Sequence, residues 1–263
     1  RVDSHDFEGV NLLGHSHGAD FRSDVRADLT GQDETHDGGG ELQQHDFAGG
    51  VTRDEAGHPG SFDVYFDLDT DYANVARLIN ESEDEHLKEA YSKGSGVRIL
   101  RQDLWEIIVS FIISQNNNIS RITQSIDKIC TRCELPALGG EYRFPYPGEV
   151  EPEFWDDSTL GLGYRNEYLK LIYEYAKENP KWLDELKTMS YDDAMQSLME
   201  RKGIGKKVAN CICLFGLHHV DAFPIDTHVK QLLAKYYQNG FDFDRYKGVA
   251  GIVQQYLFYY EIS

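Results

Sequence analysis

Two lysines, Lys206 and Lys207, follow directly on Gly203-Ile204-Gly205, and a carboxylate, Asp226, stands beyond one apolar run and one turn. A primary amine attacks a carbonyl-like carbon only as the free amine, a form favoured by burial or by an adjacent cation, and a lysine pair supplies the adjacent cation. A fixed carboxylate nearby can stabilise positive charge that develops on the carbon under attack. Spacing alone does not choose between Lys206 and Lys207. Gly203-Ile204-Gly205 is too tight for helix and is flanked by helix formers, so it predicts a turn joining two helices. Its backbone N–H groups at a helix start form a site for a phosphate, where a bound cation could assist. Asp226 also reads as a helix cap, a role compatible with the chemical one.

The elements that must hold these groups are mostly helices. Residues 191–200 and 207–217 flank the glycine turn, with Val208, Cys211, Ile212 and Phe215 predicted buried, and Asp226 opens a further helix. Residues 104–114 are apolar almost all round, which marks a buried central helix starting at Asp103. It stops at Gln115-Asn116-Asn117-Asn118, where side-chain amides compete for the backbone. Ile119, Ile122, Ile126 and Ile129 then recur at helical spacing and leave Arg121 off the stripe. Prolines 136, 145, 147 and 152 predict an irregular connection, followed by a second glycine turn at Gly161-Leu162-Gly163 that leads into a helix with Tyr168, Leu169, Ile172 and Tyr175 inward. Residues 249–260 form the last predicted helix, with Gln254 and Phe258 on one face. Upstream, residues 73–90 read as one helix, residues 62–68 (FDVYFDL) as a strand of period 2, and residues 1–60 as loop or weak sheet rich in Asp, Gly and His.

The net charge is −19, which opposes contact with nucleic acid, but its distribution is uneven. Residues 1–87 carry 21 Asp and Glu against five Arg and no Lys, whereas residues 88–263 hold 24 acids against 21 bases, leaving a nearly neutral part able to present a basic face. Cys130, Cys133, Cys211 and Cys213 sit in apolar helical contexts, as buried free thiols rather than a disulfide framework or a metal centre. The five histidines at 15, 17, 36, 45 and 58 have no regularly spaced companions and read as solvated. No stretch has the apolar length of a membrane span, and the first residues lack a basic-then-apolar leader pattern, so the expectation is a soluble intracellular protein of the cytoplasm, nucleoid or nucleus with no membrane contact.

Five blocks in order, SQNNNISRI at 114–122, GLGYR at 161–165, GIGKKVANCICL at 203–214, FPIDTHV at 223–229 and GIVQQYLF at 251–258, resemble the helix-hairpin-helix DNA glycosylases, and within them the 8-oxoguanine DNA glycosylase/AP lyase branch. YFDLD at 65–69 is similar to the strand that joins that family's two parts. The resemblance implies an α+β protein. An N-terminal antiparallel β-sheet domain over residues 1–72 would precede a two-lobed helical domain over residues 73–263, with the DNA cleft between its lobes.

Carried over by motif position, the resemblance makes Lys207 the nucleophile that attacks the sugar C1′ and forms a Schiff base, with Asp226 as its electrostatic partner. It implies excision of 8-oxoguanine opposite cytosine, followed by strand cleavage through β-elimination. Asn116, Arg121 and Arg165 would read the orphaned cytosine and Tyr164 would wedge into the stack, replacing the pairing and stacking that base extrusion gives up. Phe258 would stack on the damaged purine, Gln254 would bond its Watson–Crick edge, and Cys211 would lie on its other face. Gly203, Gly205 and His228 would contact the DNA backbone. The partner implied is duplex DNA containing oxidised guanine, bound by a monomer that needs no cofactor beyond an optional cation at the Gly203–Gly205 hairpin.

The departure lies at residues 17–23, HGADFRS, where the family carries a motif like Cys-Gly-Gln-x-Phe-Arg-Trp. Gly18 fits as the carbonyl that accepts from the oxidised base, while the Gln and Trp are absent. Endonuclease III-like repair enzymes carry a four-cysteine cluster after the last helices, and no cysteine follows Cys213 here. Adenine-removing relatives lack a lysine at the Lys207 position. A glycosylase for another oxidised base and a non-catalytic helix-hairpin-helix DNA-binding protein are the alternatives, the second of which has no use for Lys207, Asp226, Gln254 and Phe258 together.

Overall fold

The computed structural model describes residues 62–137 and 142–262. The helices among them are α1 Phe62–Tyr65, α2 Tyr72–Asn80, α3 Glu85–Gly94, α4 Leu104–Ser114, α5 Ile119–Cys133, α6 Arg165–Glu178, α7 Trp182–Thr188, α8 Tyr191–Met199, α9 Lys206–Phe215, α10 Thr227–Tyr236 and α11 Ala250–Ile262. Two short 3-10 turns, Pro152–Asp156 and Ser158–Leu160, precede α6. None of the described helices is long and apolar enough to cross a membrane.

Helix α4 is the centre of the core. Every residue from Leu104 to Ile113 is buried, which leaves no polar face and forces neighbours on all sides. It packs against α5, α6 and α9, while α11 packs against α3 and α10 and α8 packs against α9. Side-chain caps start most of these helices at the positions their residue types predict. Asp103 accepts from Glu106 N at 3.0 Å, Asn118 from Arg121 N at 3.0 Å and Asp226 from Val229 N at 2.8 Å. Each satisfies one of the amide groups that a helix start leaves unbonded.

The α+β expectation is corrected here. Among the described residues there is no strand, and the one extended pairing is an isolated antiparallel bridge between Pro136 and Tyr142. The expected sheet domain otherwise falls on residues 1–61, outside the described residues. Residues 62–68, expected as a strand, form α1 and a turn in which Asp67 has a left-handed φ of 53°. A helical turn followed by that conformation leaves no extended run, and side chains rather than a strand ladder fix the segment. The buried Asp67 carboxylate accepts from Thr70 Oγ1 at 2.8 Å, Tyr72 OH at 2.9 Å and Arg101 Nε at 3.1 Å, and His218 Nε2 lies 3.0 Å away. Burial pushes the His218 imidazole below its usual range while the Asp67 charge opposes it.

The single helix expected over residues 73–90 is two, because Ser82 Oγ turns back to Ile79 O and Asp84 caps a new start at Leu87 N. Helix α7 has no counterpart among the expected elements. Its Trp182 and Leu186 are buried, but seven residues are too few to show a period.

Candidate active site

The glycine turn sits as expected between α8 and α9. Tyr191 OH donates to Asn210 Oδ1 at 2.7 Å and Asn210 Nδ2 to Lys206 O at 3.3 Å, so the first turn of α9 is tied to α8. Ile204 is buried and anchors the turn, while Gly205 caps α9 through its backbone alone. Because Val208 to Phe215 are all buried, α9 is fixed in rotation and its exposed first turn presents Lys206 and Lys207.

Lys207, Cys211, Asp226, Gln254 and Phe258 line one small cavity, together with Phe111, Phe215, Pro224 and Gln255. Lys207 and Cys211 lie four residues apart on α9, hence one above the other. Burial pushes the Cys211 thiol up to about 11. The Lys207 charge opposes that rise and the Asp226 charge adds to it, so both charged groups are felt at the sulfur. Lys207 Nζ stands 5.9 Å from the centre of the Phe111 ring, which stacks on Phe215 at 5.7 Å. Asp226 uses one carboxylate oxygen, Oδ1, to cap α10 and is half-buried at the cavity. On α11, Gln254 and Phe258 are buried, and His228 of α10 meets the Phe258 ring edge-on at 6.2 Å.

Gly251 explains how α11 comes so near Asp226. A Cβ on it would lie 2.4 Å from Ala222 O, and its N–H donates to Val220 O at 2.8 Å. Only a residue without a side chain lets the helix approach the 220–222 segment this closely.

Asn116, Tyr164, Arg165 and Gly203 gather around Gln115. Asn116 is exposed with a left-handed φ of 48°, and Tyr164, 52% exposed, donates its hydroxyl to Gln115 O at 3.2 Å. Arg165 is buried rather than displayed. Its Nε donates to Gln115 O at 2.8 Å, its Nη2 to Gln115 O and, at 2.8 Å, to Asn116 O, and its Nη1 to Leu162 O at 3.2 Å. Gln115 Nε2 in turn donates to Gly203 O at 2.9 Å. The asparagine turn, the GLGYR turn and the glycine hairpin are thus one hydrogen-bonded unit. Arg121 is exposed on the first turn of α5, and Gly18 lies outside the described residues.

Sequence reasoning missed Phe111, Pro224, Gln115, Phe215 and Gln255 as site residues. The first four resemble core or turn residues, and only the adjacency of Gln255 to Gln254 could have flagged it. Among the described residues no three His, Cys, Asp or Glu side chains converge as a metal site, and Gly203 O is engaged by Gln115.

Residues 61–108 match the family described as 8-oxoguanine DNA glycosylase, N-terminal domain. The N-glycosylase/DNA lyase of Saccharomyces cerevisiae is 36% identical over 159 residues, covering 54% of this chain and 42% of the yeast protein. The chain therefore spans under half the length of that relative. The crystal structure of the 8-oxoguanine glycosylase/lyase of Clostridium acetobutylicum in its apo-form is similar with a TM-score of 0.67 and 31% identity, over 75% of this chain and 73% of the other. The same enzyme bound to double-stranded DNA with cytosine opposite 8-oxoG matches with a TM-score of 0.66 and 33% identity, over 75% of this chain and 72% of the other. With over 30% identity across more than two thirds of a solved relative, this chain belongs to the 8-oxoguanine DNA glycosylase family.

Proposed function

We propose that the protein is a bifunctional DNA base-excision repair enzyme that excises 8-oxoguanine opposite cytosine and then nicks the strand. The observation that carries this reading is the convergence of Lys207, Cys211, Asp226, Gln254 and Phe258, from three separate segments, on one cavity. The helical residues 73–263 form the glycosylase unit, acting as a monomer on duplex DNA. Lys207 Nζ attacks C1′ of the extruded nucleotide, the C1′–N9 bond breaks, and the base leaves with the bonding electrons. The positive charge shared between sugar and attacking nitrogen lies beside the Asp226 carboxylate, where a fixed opposite charge lowers the barrier. Loss of a proton from nitrogen and opening of the ring give the Schiff base. That cation acidifies the C2′ proton, and its removal expels the 3′ phosphate by β-elimination. No cofactor is needed, because the amine supplies the nucleophile.

The cavity measures about 50 Å³, too small to seat a purine as it stands. Base entry therefore requires Phe258, Gln254 or the Lys207 side chain to move aside, and pocket opening accompanies extrusion. Asn116, Arg121, Arg165 and Tyr164 occupy the place of the lost base and read the cytosine. Arg165 does so after exchanging part of its bonding to Gln115 O and Asn116 O for the cytosine edge. Gly203, Gly205 and His228 hold the DNA backbone, and Gly18 supplies the carbonyl that recognises the oxidised ring.

The test is borohydride trapping on a duplex with 8-oxoguanine opposite cytosine. A covalent protein–DNA species should form with the native chain and disappear in Lys207→Gln. Its absence with the native chain, or its persistence in the variant, refutes the assignment.

A further inference from the structure

Gln254 and Gln255 are consecutive on α11, where neighbouring side chains project about 100° apart and do not ordinarily meet. Both are buried, 4% and 5% exposed, both line the cavity with Lys207 and Asp226, and Gln255 Nε2 donates to Gln254 Oε1 at 2.7 Å. Two buried amides bonded this way behave as a unit. A single amide can turn over and exchange its acceptor for its donor, but an amide whose oxygen is held by a neighbouring N–H can turn only if its partner turns too, since otherwise a buried polar group loses its bond.

We propose that Gln255 is a specificity-determining residue of the base pocket that acts by positioning Gln254. This rests on the reading of the cavity as the base pocket. The Watson–Crick edge of a guanine-type base sets an N1–H donor beside an O6 acceptor, whereas an adenine-type edge sets an N1 acceptor beside an N6–H₂ donor. A carbonyl oxygen has two lone pairs. Held by Gln255, Gln254 Oε1 keeps one for N1–H, and Gln254 Nε2 is directed at O6. The adenine pattern needs the opposite order, which Gln254 reaches only if both buried amides turn together. Gln255 thus contributes to rejecting adenine-type bases without touching the base itself.

The experiment compares excision of 8-oxoguanine and 8-oxoadenine, each opposite cytosine, by the full chain and two variants. Each rate is divided by the same protein's cleavage of a preformed abasic site, which involves no base. Gln255→Met keeps length but removes both polar groups and frees Gln254 to turn. Gln255→Glu, which accepts but does not donate in its ionised form, draws Gln254 Nε2 toward itself and reverses the amide. The preference for 8-oxoguanine should fall about tenfold in each, the scale of one misdirected hydrogen bond. A preference retained in either variant overturns the proposal. Gln254→Met separates this from the underlying reading. If it leaves 8-oxoguanine excision untouched, the cavity is not the base pocket. If it impairs excision while both Gln255 variants keep their preference, only the role of Gln255 fails.

Discussion

Gly203→Ala tests the hairpin by a magnitude that follows from its backbone and one neighbour. Gly203 has a φ of 91°, which strains any residue with a side chain, and a Cβ there would lie 2.4 Å from Tyr168 Cγ and 2.7 Å from its Cβ and Cδ2. The conformation costs about 1–2 kcal/mol. The overlap falls on the root of the Tyr168 ring rather than a flexible tip, so relief needs movement of the ring or of the hairpin, at about 1–3 kcal/mol. The total, on the order of 2–5 kcal/mol, is a large share of the roughly 5–15 kcal/mol that holds a domain together. At about 2–4 °C per kcal/mol for a chain of this size, the melting temperature should fall by roughly 4–20 °C. Thermal unfolding followed by circular dichroism measures this, and Tyr168→Ala divides the two terms. In the double variant the overlap with the ring is gone while the backbone strain and the contact with the retained Cβ of residue 168 remain, so the two substitutions should show a coupling of up to about 1–3 kcal/mol. A melting temperature unchanged in Gly203→Ala, or additive effects in the double variant, refutes the claim that this close approach sets the hairpin.

Three further outcomes are expected. Asp226→Asn keeps a good capping side chain, so unfolding should change by under about 0.5 kcal/mol, while single-turnover excision should fall by about 10²–10³ through loss of the charge; equal losses in both would reduce Asp226 to a cap. Arg121→Ala should relax the preference for cytosine opposite the lesion without shifting thermal stability, since Arg121 is exposed, whereas Arg165→Ala should relax it and also destabilise, because Arg165 is 8% exposed and bonds three carbonyls; unchanged partner selectivity in both rejects their reading roles. Cys211, raised to about 11 by burial, holds its proton in the folded chain over a window where the unfolded thiol, near 8.5, has lost it. The folded state therefore binds more protons there, and stability should be level below about pH 8.5 and fall as pH rises toward 11. Urea denaturation across this range should show a shallower fall in Cys211→Ala; an identical slope would remove Cys211 as the source.

Much of the helical layout is legible because its signals are local. Residues 104–114 are apolar all round, Asp103, Asn118 and Asp226 are cap residues in front of helical periods, and Gly203 marks a turn that the observed φ of 91° requires. The strand over 62–68 fails for the complementary reason. Its alternation is real, but Asp67 is held by Tyr72, Arg101 and His218, and the last two are distant in sequence.

The sequence by itself determined most of the helices from residue 104 onward, the caps at Asp103 and Asp226, and the presence of a lysine pair and a carboxylate flanking one apolar helix. Tertiary structure decided which side chains share a cavity. Phe258 and Cys211 carry no sequence pattern that separates a pocket wall from a core residue, since both kinds are apolar, buried and helical. Arg165, expected at the tip of a turn, is drawn inward by the carbonyls of Gln115 and Asn116, about fifty positions away. Periodicity reports which face of a helix leaves water. It holds no information on what that face meets, because the meeting is fixed by close approaches such as Gly251 against Ala222, made between segments that the chain brings together only on folding.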